Sequence, residues 1–145
     1  MLKDLGFSIL VVEDDEEDRI IIDEAFLRIG YGGEVKKFID AYALLHYLEQ
    51  IETAAYPGLI VLDNTLPKLK AKDILLQLKS NVRYQKIPVV IYSTIFSPSL
   101  KEELISAGAY ACFEKGTNMQ KVMEIATSLK AMAEGANEND LQESS

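Results

Sequence analysis

Short apolar runs alternate along the chain with longer segments whose apolar residues recur every three or four positions. The short runs are rich in branched side chains and predict five strands, at residues 7–12, 34–39, 59–62, 88–92 and 110–113. The longer segments predict five helices, which include residues 16–29, 41–51, 73–78, 99–107 and 118–133. Because each parallel connection needs a crossover helix, this alternation predicts an α/β fold with a parallel sheet covered on both faces.

Length and composition predict one compact domain. The chain has 145 residues, is 48% hydrophobic, and ends in the polar stretch EGANENDLQESS at residues 134–145. We therefore expect a folded domain over residues 1–133, followed by an acidic, disordered tail. No apolar run approaches the roughly 20 residues of a membrane helix, and the first residues lack the pattern of a signal peptide. A cytoplasmic protein that does not engage membranes is expected.

The net charge and the small number of cysteine and histidine residues limit the ligands and partners that the protein is expected to bind. The net charge of −8 argues against direct binding of nucleic acid, because phosphate backbones are held mainly by Lys and Arg. A single cysteine, Cys112, cannot form an internal disulfide, and together with a single histidine, His46, it gives no zinc-type cluster. The output is therefore expected to pass through another protein or a small ligand.

Acidic residues follow two of the predicted strands. Glu13 and Asp14 follow the first strand, and Asp63 follows the third. Ligands of parallel sheets bind outside the carboxyl ends of the strands, so these carboxylates are expected to converge where a cation would relieve their repulsion. Mg²⁺ fits such oxygen ligands best. The alternative is that acids after a strand cap the next helix, and that interpretation is favoured for residues 15–17.

Groups of complementary chemistry follow the fourth and fifth strands. Ser93 offers a hydroxyl group, and Lys115 offers an ammonium group. A hydroxyl and a cation that face carboxylates and Mg²⁺ suit a transferred phosphoryl group, whose oxygens need donors and positive charge. Each residue alone is typical of a turn or of a solvated surface. The agreement of four strand ends on one chemistry favours the phosphoryl site.

The segments ILVVEDD, LDNTLP, YST and FEK, in this order and approximate spacing, resemble the receiver domain of two-component response regulators over residues 7–132. The resemblance implies a doubly wound, flavodoxin-like fold with five helices and five parallel strands in the order 2-1-3-4-5. It implies that a histidine kinase phosphorylates Asp63 in the presence of Mg²⁺. A short tail follows residue 133, so we expect a single-domain, chemotaxis-regulator-like phosphoprotein. Such a protein is not an enzyme, but it assists its own phosphorylation and dephosphorylation.

The resemblance also implies roles for the other matching residues. Asp14 is expected to bind Mg²⁺ directly, and Glu13 is expected to hold a metal-bound water. The main-chain carbonyl of Thr65, together with the phosphoacceptor, would complete the protein ligands. Ser93 matches the residue whose hydroxyl hydrogen-bonds the transferred phosphoryl group, and Lys115 matches the lysine that pairs with that group.

Three positions depart from the family pattern. Cys112 stands where an aromatic residue is usual, Gly116 where a proline usually follows the lysine, and Ala71 where the loop after the phosphoacceptor usually has a glycine. These departures favour an alternative, a degenerate receiver that binds partners independently of phosphorylation, whereas the intact acids, hydroxyl and lysine oppose it. LDNTLP also resembles the haloacid-dehalogenase-type phosphatases with an aspartate nucleophile, but Thr65 stands where their acid/base aspartate is needed.

Signalling is expected to run through protein contacts. The upstream partner would be a sensor histidine kinase or a phosphotransfer protein of a phosphorelay, and the downstream partner would be a protein target. Residues 97–107 and 110–115, which include the fourth helix and the fifth strand, are the candidate partner or homodimer face. The sequence leaves the oligomeric state open.

Overall fold

A computed structural model describes residues 8–66 and 69–144. Within that part of the chain five strands alternate with five α-helices: β1 (Ile9–Val12), α1 (Glu16–Arg28), β2 (Val35–Phe38), α2 (Ala41–Gln50), β3 (Leu59–Asp63), α3 (Ala71–Lys79), β4 (Val89–Ser93), α4 (Pro98–Ser106), β5 (Ala111–Glu114) and α5 (Met119–Ser144). A 3-10 helix, Thr53–Ala55, which the sequence pattern does not predict, lies between α2 and β3. The predicted alternation of strand and helix is confirmed.

The strands form one parallel sheet in the order β2-β1-β3-β4-β5, as predicted. The chain leaves β1 for β2 on one side and later returns to β3 on the other side, so the strand order reverses at β1 and β3. Ligands of doubly wound sheets bind at this switch point, outside the carboxyl ends of the strands. The register places Val12 beside Leu62, Asp63 beside Tyr92, and Ser93 beside Glu114. The carboxyl ends of β1, β3, β4 and β5 therefore lie along one edge.

Two apolar layers cover the sheet. Side chains alternate between the faces of a strand, so Leu10 and Ile60 pack on one face with α2, α3 and α4, while Ile9 and Val61 pack on the other with α1 and α5. Because both faces are covered, every residue of β1, β3 and β4 is buried. This double burial explains why these strands read as continuous apolar runs rather than as alternating patterns.

Side-chain caps fix the start of four helices, including α5, where Asn118 Oδ1 accepts a hydrogen bond from the backbone N–H of Lys121. Asp15 accepts a hydrogen bond from the backbone N–H of Glu17 and caps α1, which agrees with the capping interpretation of residues 15–17. Asp40 caps α2 and Ser97 caps α4 in the same way. The N-cap of α3 is Lys70, which provides no side-chain hydrogen bond to the helix.

The last helix is longer than the sequence predicts. α5 continues through residues 134–144, for which the composition predicts disorder. Ala, Glu and Gln are good helix formers and no proline interrupts this segment, so the helix can continue beyond the residues that pack on the sheet. The division of the chain at residue 133 stays a prediction. Within the described ranges, no helix is both long and apolar enough to cross a membrane.

Candidate functional site

Three acidic side chains meet where β1 and β3 end. Glu13 directly follows β1, and its backbone N–H donates to the carbonyl of Phe38, which continues the β1–β2 ladder by one residue. Asp63 is the last residue of β3. Glu13 and Asp63 are each 2% exposed, whereas Asp14 is exposed. One carboxylate oxygen from each of the three residues lies within 4.8 Å of the other two, so the predicted convergence of these acids is present.

Local hydrogen bonds hold the carboxylate of Asp63 in place. Its Oδ1 accepts two hydrogen bonds from Thr65, one from the backbone N–H at 3.0 Å and one from the hydroxyl at 2.9 Å. The backbone N–H of Asn64 donates to the carbonyl of Tyr92, so the chain stays attached to β4 for one residue beyond the strand. Oδ2 is the oxygen of Asp63 that faces Lys115. Thr65 therefore holds one oxygen of the carboxylate, while the other oxygen faces Lys115.

Lys115 brings a positive charge into the acidic cluster. Its Nζ lies 2.7 Å from Asp18 Oδ2, 2.9 Å from Glu13 Oε1 and 3.3 Å from Asp63 Oδ2. The same atom lies 5.4 Å from the centroid of the Tyr92 ring, at cation–π distance. The Lys115 side chain is 15% exposed, so these contacts are partly shielded from solvent. The structure therefore joins the predicted lysine to the predicted phosphoacceptor.

Asp18 is a site residue that the sequence analysis misses. It lies in the first turn of α1, and its side chain, 30% exposed, makes the shortest of the three contacts to Lys115. The sequence gives one signal for it, which is its position in the first turn of the helix that follows an acidic strand end. Helix capping accounts for the neighbouring acids, so this signal does not separate Asp18 from them.

Ser93 lies at the same edge but engages a different group. It is buried at the end of β4, one residue beyond the register neighbour of Asp63. Its hydroxyl donates to the carbonyl of Ile95 at 3.1 Å, within the loop that leads to α4. The backbone N–H of Lys115 donates to the Ser93 carbonyl at 2.8 Å and joins the two strand ends. To donate to a group bound to Asp63, the hydroxyl of Ser93 would have to give up its hydrogen bond to the Ile95 carbonyl.

Burial and mutual contacts shift the pKa values of Glu13, Asp63 and Lys115. Burial raises the pKa of Glu13 to about 8, and its hydrogen bond with Asp63 adds to the effect. Burial alone would also raise the pKa of Asp63, but hydrogen bonds from Glu13 and Thr65 outweigh it and hold that pKa below its usual value. For Lys115, burial acts to lower the pKa, but the contacts with Asp18 and Glu13 outweigh it and raise the pKa. The carboxyl group of Glu13 therefore holds a proton more tightly than a solvated glutamate does, and that of Asp63 holds one less tightly than a solvated aspartate does.

The acidic cluster has the chemistry of a hard-cation site. Glu13 Oε1 is buried and, apart from its ion pair with Lys115, accepts no hydrogen bond from the described residues. Glu13 Oε2 accepts a hydrogen bond from the backbone N–H of Asp15. Three carboxylates with one exposed member can contribute oxygen ligands and leave room for water, which is the arrangement that Mg²⁺ prefers. The described residues therefore fit Mg²⁺, while the ligand role of the Thr65 carbonyl stays a prediction.

The three departures from the family pattern occupy packed positions. Cys112 is partly buried in β5 and packs against the layer formed with α2, α3 and α4. Ala71 begins α3 and is buried, so its methyl group adds to the core. A Cβ atom at Gly116 would lie 2.8 Å from the Cβ of Lys121 and 2.9 Å from the backbone nitrogen of Val122. A side chain at residue 116 would therefore require the loop after Lys115 or the start of α5 to shift.

Two curated relatives match part of this chain in sequence. The probable methanogenesis regulatory protein FilR2 of Methanothrix harundinacea is 37% identical over 90 residues, which are 61% of this chain and 58% of FilR2. Response regulator Rcp1 of Synechocystis is 33% identical over 89 residues, which are 59% of this chain and 60% of Rcp1. The match therefore spans about three fifths of each relative's length.

The fold likeness extends over more of the chain. The crystal structure of the phosphorylated cyanobacterial phytochrome response regulator RcpA has a TM-score of 0.76 and 27% identity to this chain, and covers 87% of this chain and 92% of its own. The family model of the response regulator receiver domain matches residues 9–127, which include all five strands. This chain belongs to the response regulator receiver domain family.

Proposed function

We propose that this receiver domain is a phosphoacceptor, in which Asp63 accepts a phosphoryl group from a histidine kinase or a phosphotransfer protein with the help of Mg²⁺. The observation that carries the proposal is a buried Asp63 that shares one cluster with Glu13 and Asp14 and lies 3.3 Å from Lys115. A relative also supports it, since RcpA is described in a phosphorylated form.

The electrostatics of Asp63 suit a nucleophile. Its lowered pKa keeps the carboxylate ionised near neutral pH, so the attack needs no separate base. In the transfer, a carboxylate oxygen forms the bond to phosphorus while the bond between phosphorus and the donor breaks. The donor keeps the electron pair of that bond. The two hydrogen bonds from Thr65 to Oδ1 hold the carboxylate in one orientation before the reaction.

The acidic residues would hold Mg²⁺ beside the nucleophile. Asp14 and Asp63 would be direct ligands, Glu13 would hold a metal-bound water, and the carbonyl of Thr65 would complete the set. When bound, Mg²⁺ supplies charge neutralisation for an anionic donor that approaches a carboxylate. Glu13 has to lose its proton before it can act as an anion toward the metal shell, because burial holds its pKa at about 8.

Lys115 and Ser93 would bind the oxygens of the phosphoryl group. The ammonium of Lys115 already lies within the cluster, whereas the hydroxyl of Ser93 donates to the carbonyl of Ile95. If Ser93 turned toward the phosphoryl group, Ile95 would lose this hydrogen bond, and the loop before α4 would be free to change. This change would alter residues 97–107 and 110–115, our candidate face for a downstream protein or for a second copy of the chain.

The test is incubation of the purified chain with acetyl phosphate and Mg²⁺, followed by intact mass measurement. We expect one phosphate adduct on the wild type and none on Asp63→Asn, with chelation of Mg²⁺ abolishing the adduct. A control receiver that labels under the same conditions shows that the donor is active. If the control labels and the wild type does not, the chain is instead a degenerate receiver that binds its partners without phosphorylation.

A further inference from the structure

We infer that Asp18 is a positioning residue for Lys115, which it holds at the edge of the acidic cluster, ready to pair with a phosphoryl group on Asp63. The inference rests on the proposed function, since it concerns how that group would be received. It adds to the site an acid from α1 that lies outside the group formed by Glu13, Asp14 and Asp63.

The three acidic residues that contact Lys115 do not have equivalent roles. An ammonium group has three N–H donors, and here three carboxylates surround it. Glu13 and Asp63 are the two that would turn to Mg²⁺ and to the phosphoryl group, so both of their contacts with Lys115 would change during the reaction. Asp18 makes the shortest contact, at 2.7 Å, and takes no part in the metal cluster. Its contact is the one that can persist throughout.

The backbone contacts of Lys115 do not fix the position of its side chain. The N–H of Lys115 is fixed on the Ser93 carbonyl, but the side chain beyond it is a flexible four-carbon stem. The ring of Tyr92, with its centroid 5.4 Å from Nζ, provides one boundary. Asp18 supplies a directional, charge-assisted hydrogen bond from a different element, which holds the ammonium of Lys115 where it also reaches Asp63.

The test compares variants at Asp18 with a matched change on the same helix turn. Asp18→Asn removes the charge without changing the size of the side chain, and Asp18→Glu keeps the charge. Glu17→Gln removes one negative charge from an exposed neighbour and controls for the net charge of the surface. Labelling by acetyl phosphate, and loss of phosphate after the donor is removed, are followed by intact mass at saturating Mg²⁺.

We expect Asp18→Asn to slow labelling about tenfold, which is the effect of losing one hydrogen bond between charged groups. Asp18→Glu should recover part of the rate, and Glu17→Gln should behave like the wild type. If Asp18 acts through Lys115, Asp18→Asn should have little further effect in a Lys115→Ala background. A wild-type rate in Asp18→Asn, or an equal loss in both backgrounds, would overturn the inference while leaving the phosphoacceptor function intact.

A second measurement decides the inference even if the wild type does not label. In the folded protein, the NMR signal of the Lys115 ammonium should be protected from exchange with water, because three carboxylates surround it. Asp18→Asn should broaden or remove this signal, and Glu17→Gln should leave it unchanged. An identical signal in the wild type and in Asp18→Asn would show that Asp18 does not position the lysine.

Discussion

The close approach of Gly116 to α5 predicts that Gly116→Ala will destabilise the protein. A methyl group at residue 116 would lie 2.8 Å from the Cβ of Lys121 and 2.9 Å from the backbone nitrogen of Val122. Ordinary contacts between such atoms are roughly 3.5–4.0 Å, so the loop or the first turn of α5 has to move by several tenths of an ångström. Overpacking of this kind costs about 1–3 kcal/mol. The backbone nitrogen of a helix cannot rotate away as a flexible side chain can.

An identical substitution elsewhere in the chain provides the control. Gly135 lies within α5, and no described atom lies within 4 Å of the position its Cβ would take. Gly135→Ala should therefore stabilise the helix by up to about 1 kcal/mol through helix propensity. Gly116→Ala is thus expected to lower the free energy of unfolding and Gly135→Ala to raise it, because, of the two positions, only residue 116 lacks space for a methyl group.

Urea unfolding followed by far-ultraviolet circular dichroism measures both variants, and the chain contains no tryptophan for a fluorescence signal. Each kcal/mol corresponds to a melting-temperature shift of about 2–4 °C for a domain of this size. Gly116→Ala should also slow the proposed phosphorylation of Asp63, because the displaced loop carries Lys115. If Gly116→Ala is as stable as the wild type, the steric argument for the glycine is wrong.

Three further predictions concern the cap of α3, the buried acid and the metal. Lys70→Ser should raise the unfolding free energy by about 1 kcal/mol in urea titrations, because α3 begins without a side-chain cap. Without Mg²⁺, that free energy should fall as pH rises from about 5 to 8, because folding raises the pKa of Glu13 from 4.5 to about 8 and the folded state holds the proton more tightly. Glu13→Gln should flatten this slope. Mg²⁺ at ten times its Kd should stabilise the fold by about 1.4 kcal/mol, and Asp14→Asn should reduce the gain seen in thermal melts.

The fold could be predicted from sequence because its central strands are buried on both faces. Residues such as Ile9 and Leu10 point to opposite layers, yet both are covered, so the strand reads as one uninterrupted apolar run. The acids at the ends of β1 and β3 could be predicted for a related reason. A charge that directly follows such a run has to lie at the edge of the sheet, and parallel strands bring these edges together.

The remaining features depend on tertiary geometry that no local pattern encodes. Asp18 reaches Lys115 because of how α1 is rotated about its axis. The neighbouring residues on the same turn are also acidic, so residue type does not distinguish Asp18 from them. The hydroxyl of Ser93 points to the Ile95 carbonyl because of the path of a loop. The close approach of Gly116 depends on where α5 docks. Residue type predicted the chemistry of Ser93 and Lys115, while packing decides which partner each side chain meets.

The charges at the site connect the titration of Glu13, the ammonium of Lys115 and the metal in the proposed reaction. Glu13, Asp14, Asp18 and Asp63 are four carboxyl groups, so with a proton on Glu13 and an ammonium on Lys115 their formal charge would be −2. Mg²⁺ binding with release of that proton would reduce the charge to −1, so the site would be least negative when an anionic donor approaches. Transfer then adds negative charge beside Lys115. The ion pair between Asp18 and Lys115 does not depend on the metal. The ammonium of Lys115 can therefore turn from Asp63 to the phosphoryl group without leaving the site.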